Sequence, residues 1–68
     1  MAEHKVEGIT VTYPDGTLEA VDDCCAWWLG DGVLHTNVRY VRPGDYGWTP
    51  ARGPSFPLVN IRKWEEHR

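Results

Sequence analysis

The sequence predicts a small all-β domain. Three observations carry that expectation: no stretch keeps a long helical spacing of apolar residues, apolar and polar residues alternate in several short runs, and two Asp-Gly pairs stand between such runs. The first alternation is Ile9, Val11 and Tyr13 with Thr10 and Thr12 between them, a half-buried strand. It runs into Pro14-Asp15-Gly16-Thr17. If Asp15-Gly16 is a two-residue hairpin turn, with positive φ at both residues, Tyr13 faces Leu18 and Val11 faces Ala20. The apolar residues of both strands then share one face.

The second pair sits inside Cys24-Cys25-Ala26-Trp27-Trp28-Leu29-Gly30-Asp31-Gly32-Val33-Leu34-His35-Thr36-Asn37-Val38-Arg39-Tyr40. With Asp31-Gly32 as the turn, Leu29 faces Leu34, Trp27 faces Thr36 and Cys25 faces Val38, and Tyr40 lies on that face too. The other face carries Trp28 beside His35 and Ala26 beside Asn37. A three-residue Gly30-Asp31-Gly32 loop would exchange the faces, because a slip of one residue moves every side chain across the sheet. The two-residue turn is preferred because it gathers Trp27, Leu29, Leu34, Val38 and Tyr40.

Residues 43–57, rich in Pro and Gly, are expected to form a long loop; they also carry Tyr46, Trp48 and Phe56, which disordered linkers generally lack. In the tail, Leu58, Ile61 and Trp64 recur every third residue. That spacing is read as a strand through Leu58, one 3₁₀ turn at Val59–Ile61 and a last strand through Trp64. Four or five short antiparallel strands with tight turns describe a small SH3-like or Sm-like barrel, and closure would cover both edges of the sheet. The run YPDGT, the hairpin WWLGDGVLHT and the ending FPLVNIRKWEE resemble small uncharacterised proteins of actinobacteria and their bacteriophages. The absence of Gln beside frequent Trp, Arg, Gly and Asp agrees with a GC-rich genome. The resemblance implies an accessory protein and carries over no catalytic residue.

Sixty-eight residues are expected to make one domain over 1–68, near the lower limit for a self-sufficient core. The two cysteines, Cys24 and Cys25, are adjacent, a spacing that strains a disulfide. The polar start MAEHKVEG resembles no secretory leader, and no run approaches the roughly 20 apolar residues of a membrane span. The expectation is therefore a cytoplasmic protein, in the host cytoplasm if phage-encoded, with no membrane contact and with self-association to supplement the core. Net charge is -3, distributed unevenly. Residues 1–38 set Lys5 against seven carboxylates (-6), whereas residues 39–68 set six cations against three carboxylates (+3). Either the halves pair across the sheet, or the basic half presents an anion-binding face.

No motif points to catalysis, a metal or a cofactor, so none is expected and the chain is read as not an enzyme. Adjacent strand cysteines point to opposite faces and cannot readily share a zinc ion with His4, His35 or His67. Their packing reading puts Cys25 in the core and Cys24 on the other face. Asp22 and Asp23 would raise a neighbouring thiol pKa, the wrong direction for a nucleophile, and Ser55 lacks a nucleophile elbow. Gly30-Asp31-Gly32 lacks the following helix of a phosphate loop.

The aromatic residues are the remaining lead. Trp27 and Trp28 are strand neighbours, so one of them leaves the core. Trp28 with His35, and Tyr46 with Trp48 between Arg42 and Arg52, form two candidate binding groups. The competing structural role for the second is that loop 43–57 folds back and Trp48 lids the barrel. The leading functional expectation is an accessory binding module that docks on a host protein or on copies of itself. The alternative is a nucleic-acid or nucleotide binder using Arg42, Arg52, Arg62 and Lys63 with Trp48.

Overall fold

The computed structural model describes residues 3–68. It contains eight short strands: β1 (His4–Lys5), β2 (Gly8–Thr12), β3 (Leu18–Val21), β4 (Cys24–Gly30), β5 (Val33–Tyr40), β6 (Thr49–Arg52), β7 (Phe56–Pro57) and β8 (Lys63–His67), with a 3₁₀ turn at Leu58–Asn60. The fold is all-β, and every strand pairing is antiparallel. One sheet has the order β1-β4-β5-β6 with β7 also paired to β5; the other has the order β3-β2-β8. The chain passes from the first sheet to the second at Val6-Glu7. There the Val6 N–H donates to the Cys25 carbonyl (3.1 Å) and the next amide, Glu7, donates to the His67 carbonyl (2.8 Å).

The core comprises Val6, Ile9, Val11, Val21, Cys24, Trp27, Leu34, Phe56 and Ile61, with Ile9, Val11 and Leu34 fully buried. Tyr13, Leu29, Val38, Leu58 and Trp64 pack around its margin. The molecule measures 41 × 25 × 19 Å with a radius of gyration of 12.5 Å. A spherical domain of this length has a radius of gyration of about 11 Å. The shape is thus elongated, with much of each sheet face open to solvent.

The first hairpin differs from its expected register by one residue. Leu18 pairs with Thr12, Glu19 with Val11, Ala20 with Thr10 and Val21 with Ile9. Pro14 is the reason. Its ring holds φ near −65°, which suits the second position of a type I turn and leaves Gly16 (φ 91°) to close a three-residue loop as a bulge. The Gly16 amide donates to the Tyr13 carbonyl (2.9 Å), and the Tyr13 amide to the Thr17 carbonyl (2.8 Å). Asp15 braces the loop by accepting from the Thr17 hydroxyl (2.6 Å) and amide (2.9 Å). Those bonds, the hydroxyl first, hold its carboxyl below the usual carboxylate range. The slip turns Val21 inward and leaves Leu18 67% exposed.

The second hairpin has the expected two-residue turn, with Asp31 at φ 53° and Gly32 at φ 73°. Leu29 pairs with Leu34, Trp28 with His35, Trp27 with Thr36 and Ala26 with Asn37. Trp27 lies in the core and Trp28 outside it. Because a Cβ at Gly32 meets nothing within 4 Å, Gly32→Ala tests the backbone alone. The substitution is expected to cost about 1–2 kcal/mol in a urea titration, the left-handed penalty of an L residue.

The pairing of Cys25 with Val38 does not occur. A bulge between Cys24 and Ala26 shifts the frame, so that Cys24 pairs with Val38 and enters the core while Cys25 leaves that face. In a regular strand, residues three apart point to opposite faces; the bulge lets Cys24 and Trp27 both point inward. Tyr40 also leaves the expected face-core and is 47% exposed. β5 outruns β4 beyond Val38, so Tyr40 has only Thr49 of β6 beside it.

Residues 43–57 are not one loop. β6 pairs with β5 from Asn37–Arg52 to Tyr40–Thr49, and β7 pairs Phe56 with Leu34 and Pro57 with Val33. The eight-residue β5 extends past its β1-side partners, and this segment satisfies its second edge despite the prolines, which an outer strand tolerates. The 3₁₀ turn falls one residue earlier than expected, at Leu58–Asn60, and the Leu58 amide donates to the Gly32 carbonyl (2.9 Å). Ile61 then returns to the core before β8.

Candidate functional site

The outer face of the first sheet is set by the β4–β5 register. Trp27, Leu34 and Thr36 are buried on the inner face, so Ala26, Trp28, His35, Asn37 and Arg39 share the outer one. β1 adds Lys5 opposite Ala26; β6 adds Pro50 opposite Arg39 and Arg52 opposite Asn37. Trp48, the residue before β6, lies against this face.

Trp48 forms a wall of three adjoining concavities. One, of about 370 Å³, is lined by Lys5, Val6, Glu7, Cys25 and Arg39. The second, of about 310 Å³, is lined by Tyr40, Arg42, Asp45, Tyr46 and Thr49. The third, of about 80 Å³, has Ala26, Asn37 and Pro50 in its lining. The indole is 53% exposed, so about half of it is packed and half faces solvent. It does not belong to the core cluster. Tyr46 is fully exposed at the rim.

Trp28 and His35 stack with centroids 5.4 Å apart and planes 18° from parallel, both half-buried on the outer face. Nδ1 of His35 is buried there without a hydrogen-bond partner. The structure therefore places Trp28, His35, Arg52 and Trp48 on one face, while Arg42, Tyr46 and Trp48 line one cleft.

The four cations Arg42, Arg52, Arg62 and Lys63 are not gathered into a patch. Arg62 donates its amide to the Thr12 carbonyl (2.8 Å), and Lys63 pairs in register with Thr12 in the other sheet and contacts Glu65 at 3.6 Å. The tail reaches that sheet from the end of β5 where Val33 pairs with Pro57. Arg42 follows the other end of β5, seven strand rises or about 23 Å from Val33. Arg42 and the Arg62-Lys63 pair are thus carried to different ends of the molecule.

Nor do the acidic and basic halves pair through ion pairs among the described residues. The two salt bridges among the described residues, Lys63–Glu65 and Arg68–Glu66, both lie within residues 39–68. Arg39 instead donates to the carbonyls of Asp22 (2.6 Å), Glu7 (3.4 Å) and Cys24 (3.4 Å), fastening the turn before β4 to the sheet crossing. Lys5, Arg39 and Tyr40 are site residues that sequence reasoning missed. Each is brought to Trp48 by strand pairing between distant segments, for which no local signal exists.

Both thiols are free and buried. Burial pushes the Cys24 thiol above its usual range, and Cys24 Sγ donates to the Ala26 carbonyl at 3.2 Å. Cys25 Sγ lies 3.5 Å from the Asn37 carbonyl. Among the described residues, no three His, Cys, Asp or Glu side chains converge as metal ligands. No helix of the described residues is long and apolar enough to cross a membrane. No family model, curated protein or solved structure matches the chain.

Proposed function

We propose that this chain is a non-enzymatic accessory binding module, with Trp48 as its anchor for a protein partner. The exposed Trp48 indole at the meeting of three concavities carries this reading. Trp is the side chain that most often dominates interface energetics, and Arg and Tyr often accompany it. Here Arg42, Tyr40 and Tyr46 line the adjoining cleft. Arg52, Trp28 and His35 extend the same face. The partner is a host protein or a second copy of the chain, in the cytoplasm of an actinobacterium or of a phage-infected host. The finer architecture we propose is a small SH3-like or Sm-like barrel, a reading supported by the direct passage of the chain from one sheet to the other at Val6-Glu7.

A second reading is favoured by the charges around Trp48. Lys5 and Arg42 flank the indole from different concavities and enter no salt bridge among the described residues. A base stacked on Trp48 with phosphates on these cations would make a nucleic-acid or nucleotide site.

One comparison separates the two. Trp48→Ala is expected to leave the thermal midpoint unchanged, because the indole is outside the core, and to weaken partner binding by more than about tenfold. Binding to a protein partner should persist between about 50 and 200 mM salt, whereas nucleic-acid affinity should collapse over that range. Partner binding by Trp48→Ala equal to wild type would remove Trp48 as the anchor.

A further inference from the structure

The open edges of the two sheets are formed by β1, by β6 together with β7, by β3 and by β8. Every edge but that of β3 carries a feature that discourages another strand from adding. β1 is two residues long, β6 contains Pro50 and β7 Pro57, and β8 carries charges at three of its five positions, Lys63, Glu65 and Glu66. β3, Leu18-Glu19-Ala20-Val21, has no proline, no bulge and no cation, and its Leu18 is two-thirds exposed.

The backbone direction along that edge follows from the hairpin. The Tyr13–Thr17 hydrogen bond sets the alternation, so Glu19 and Val21 bond to Val11 and Ile9 of β2. Leu18 and Ala20 consequently direct their N–H and C=O groups away from β2, toward the open edge. Neither residue takes part in a side-chain hydrogen bond that would cover it. Two residues with outward amides and carbonyls offer up to four ladder bonds to an incoming strand.

Charge selects the occupant. Glu19 sits midway between the two bonding residues, with its side chain on the Tyr13 face, where it accepts from the Tyr13 hydroxyl at 2.5 Å. An antiparallel strand bonded to Leu18 and Ala20 places one residue directly opposite Glu19, at a Cα separation of about 4.5 Å. Asp22 and Asp23 follow β3, and neither they nor Glu19 enters a salt bridge among the described residues. A second copy of β3 paired in this register would set Glu19 against its own counterpart, an unfavourable like-charge pair. A Lys or Arg at that place is favourable, and apolar residues on either side of it would lie over Leu18 and Ala20 on the other face.

We infer that β3 accepts an extended segment of another protein, of the pattern apolar–basic–apolar, as a fourth strand of the second sheet. This surface is separate from Trp48, so Trp48→Ala should leave it intact. The probe is an acetylated, amidated pentapeptide Thr-Val-Lys-Val-Thr titrated into the ¹⁵N-labelled full chain. The expected result is that the Leu18 and Ala20 amides shift most and exchange more slowly with solvent. Replacing Lys by Glu in the peptide should weaken binding about tenfold. Ala20→Pro removes an outward amide without touching the β2 ladder and should abolish binding. Glu19→Lys, which keeps the strand whole, should reverse the preference toward the Glu peptide. Absence of binding, shifts centred on Trp48, or an unchanged preference in Glu19→Lys would each overturn the inference. So would protection of Leu18 and Ala20 that grows with protein concentration and needs no peptide, which would assign the edge to a second copy.

Discussion

Trp27→Ala is expected to cost about 3–5 kcal/mol and to leave little or no folded protein at room temperature. A domain of this size seldom has more than about 3–5 kcal/mol of stability to lose. Trp27 is buried in the core, stacks on His4 with centroids 4.1 Å apart and meets Trp64 edge-on at 5.4 Å. Its Nε1–H donates to Glu66 at 2.9 Å, tying β4 to β8 in the other sheet. The Arg68 guanidinium, more than Trp27, holds the Glu66 carboxyl below its usual range. Truncation removes the packing between sheets and the one bond that fixes their relative position through this side chain. Far-ultraviolet circular dichroism with a urea titration checks it. A variant as stable as wild type would mean that the core lies on the other face of β4.

Gly53→Ala is the second large effect. A Cβ at Gly53 would stand 2.5 Å from the Thr36 hydroxyl oxygen, 2.8 Å from Val38 Cγ1 and 3.3 Å from the Thr36 carbonyl oxygen. None of these can easily yield. Thr36 is buried and its hydroxyl donates to the Pro54 carbonyl at 2.6 Å, while the Gly53 amide itself donates to the Thr36 carbonyl at 3.0 Å. Moving the segment aside breaks both bonds and pulls β6 and β7 from β5. The expected cost is about 1–3 kcal/mol, as for other overpacked sites, seen as a lower urea midpoint. Hydrogen exchange of the Val38 and Tyr40 amides, which face β6, should accelerate with it. A midpoint equal to wild type would show that the β6–β7 junction relaxes freely.

These two positions differ in how far they could be read in advance. The placement of Trp27 follows from the Asp31-Gly32 turn, because local chemistry sets the register and the register sets the face. Gly53 looks like one more glycine in a Pro/Gly-rich run. Its importance appears only when Thr36, seventeen residues earlier, is brought against it. The candidate site divides in the same way. Trp28 beside His35 was legible as a cross-strand pair, but the meeting of Trp48 with Lys5 and Arg39 was not.

Three departures trace to a single residue of frame. Pro14 turned an expected two-residue turn into a three-residue one and exchanged the faces of β3. The Cys24–Ala26 bulge exchanged the two cysteines. The 3₁₀ turn began one residue early, at Leu58. In each case the strand or turn existed as expected and its phase did not. Side chains alternate with a period of two, so the smallest error in phase is also the largest in outcome.

What could be read from the chain alone was its all-β character, the Asp31-Gly32 hairpin, and the division of labour between Trp27 and Trp28. Turn residues and alternation act over a few positions and need no partner to be recognised. The two-sheet arrangement, the strands hidden in residues 43–57, the dispersal of the four cations and the open edge at β3 belong to the folded molecule. Each depends on pairings between segments far apart in the chain, selected by burial of a shared core rather than by any local preference.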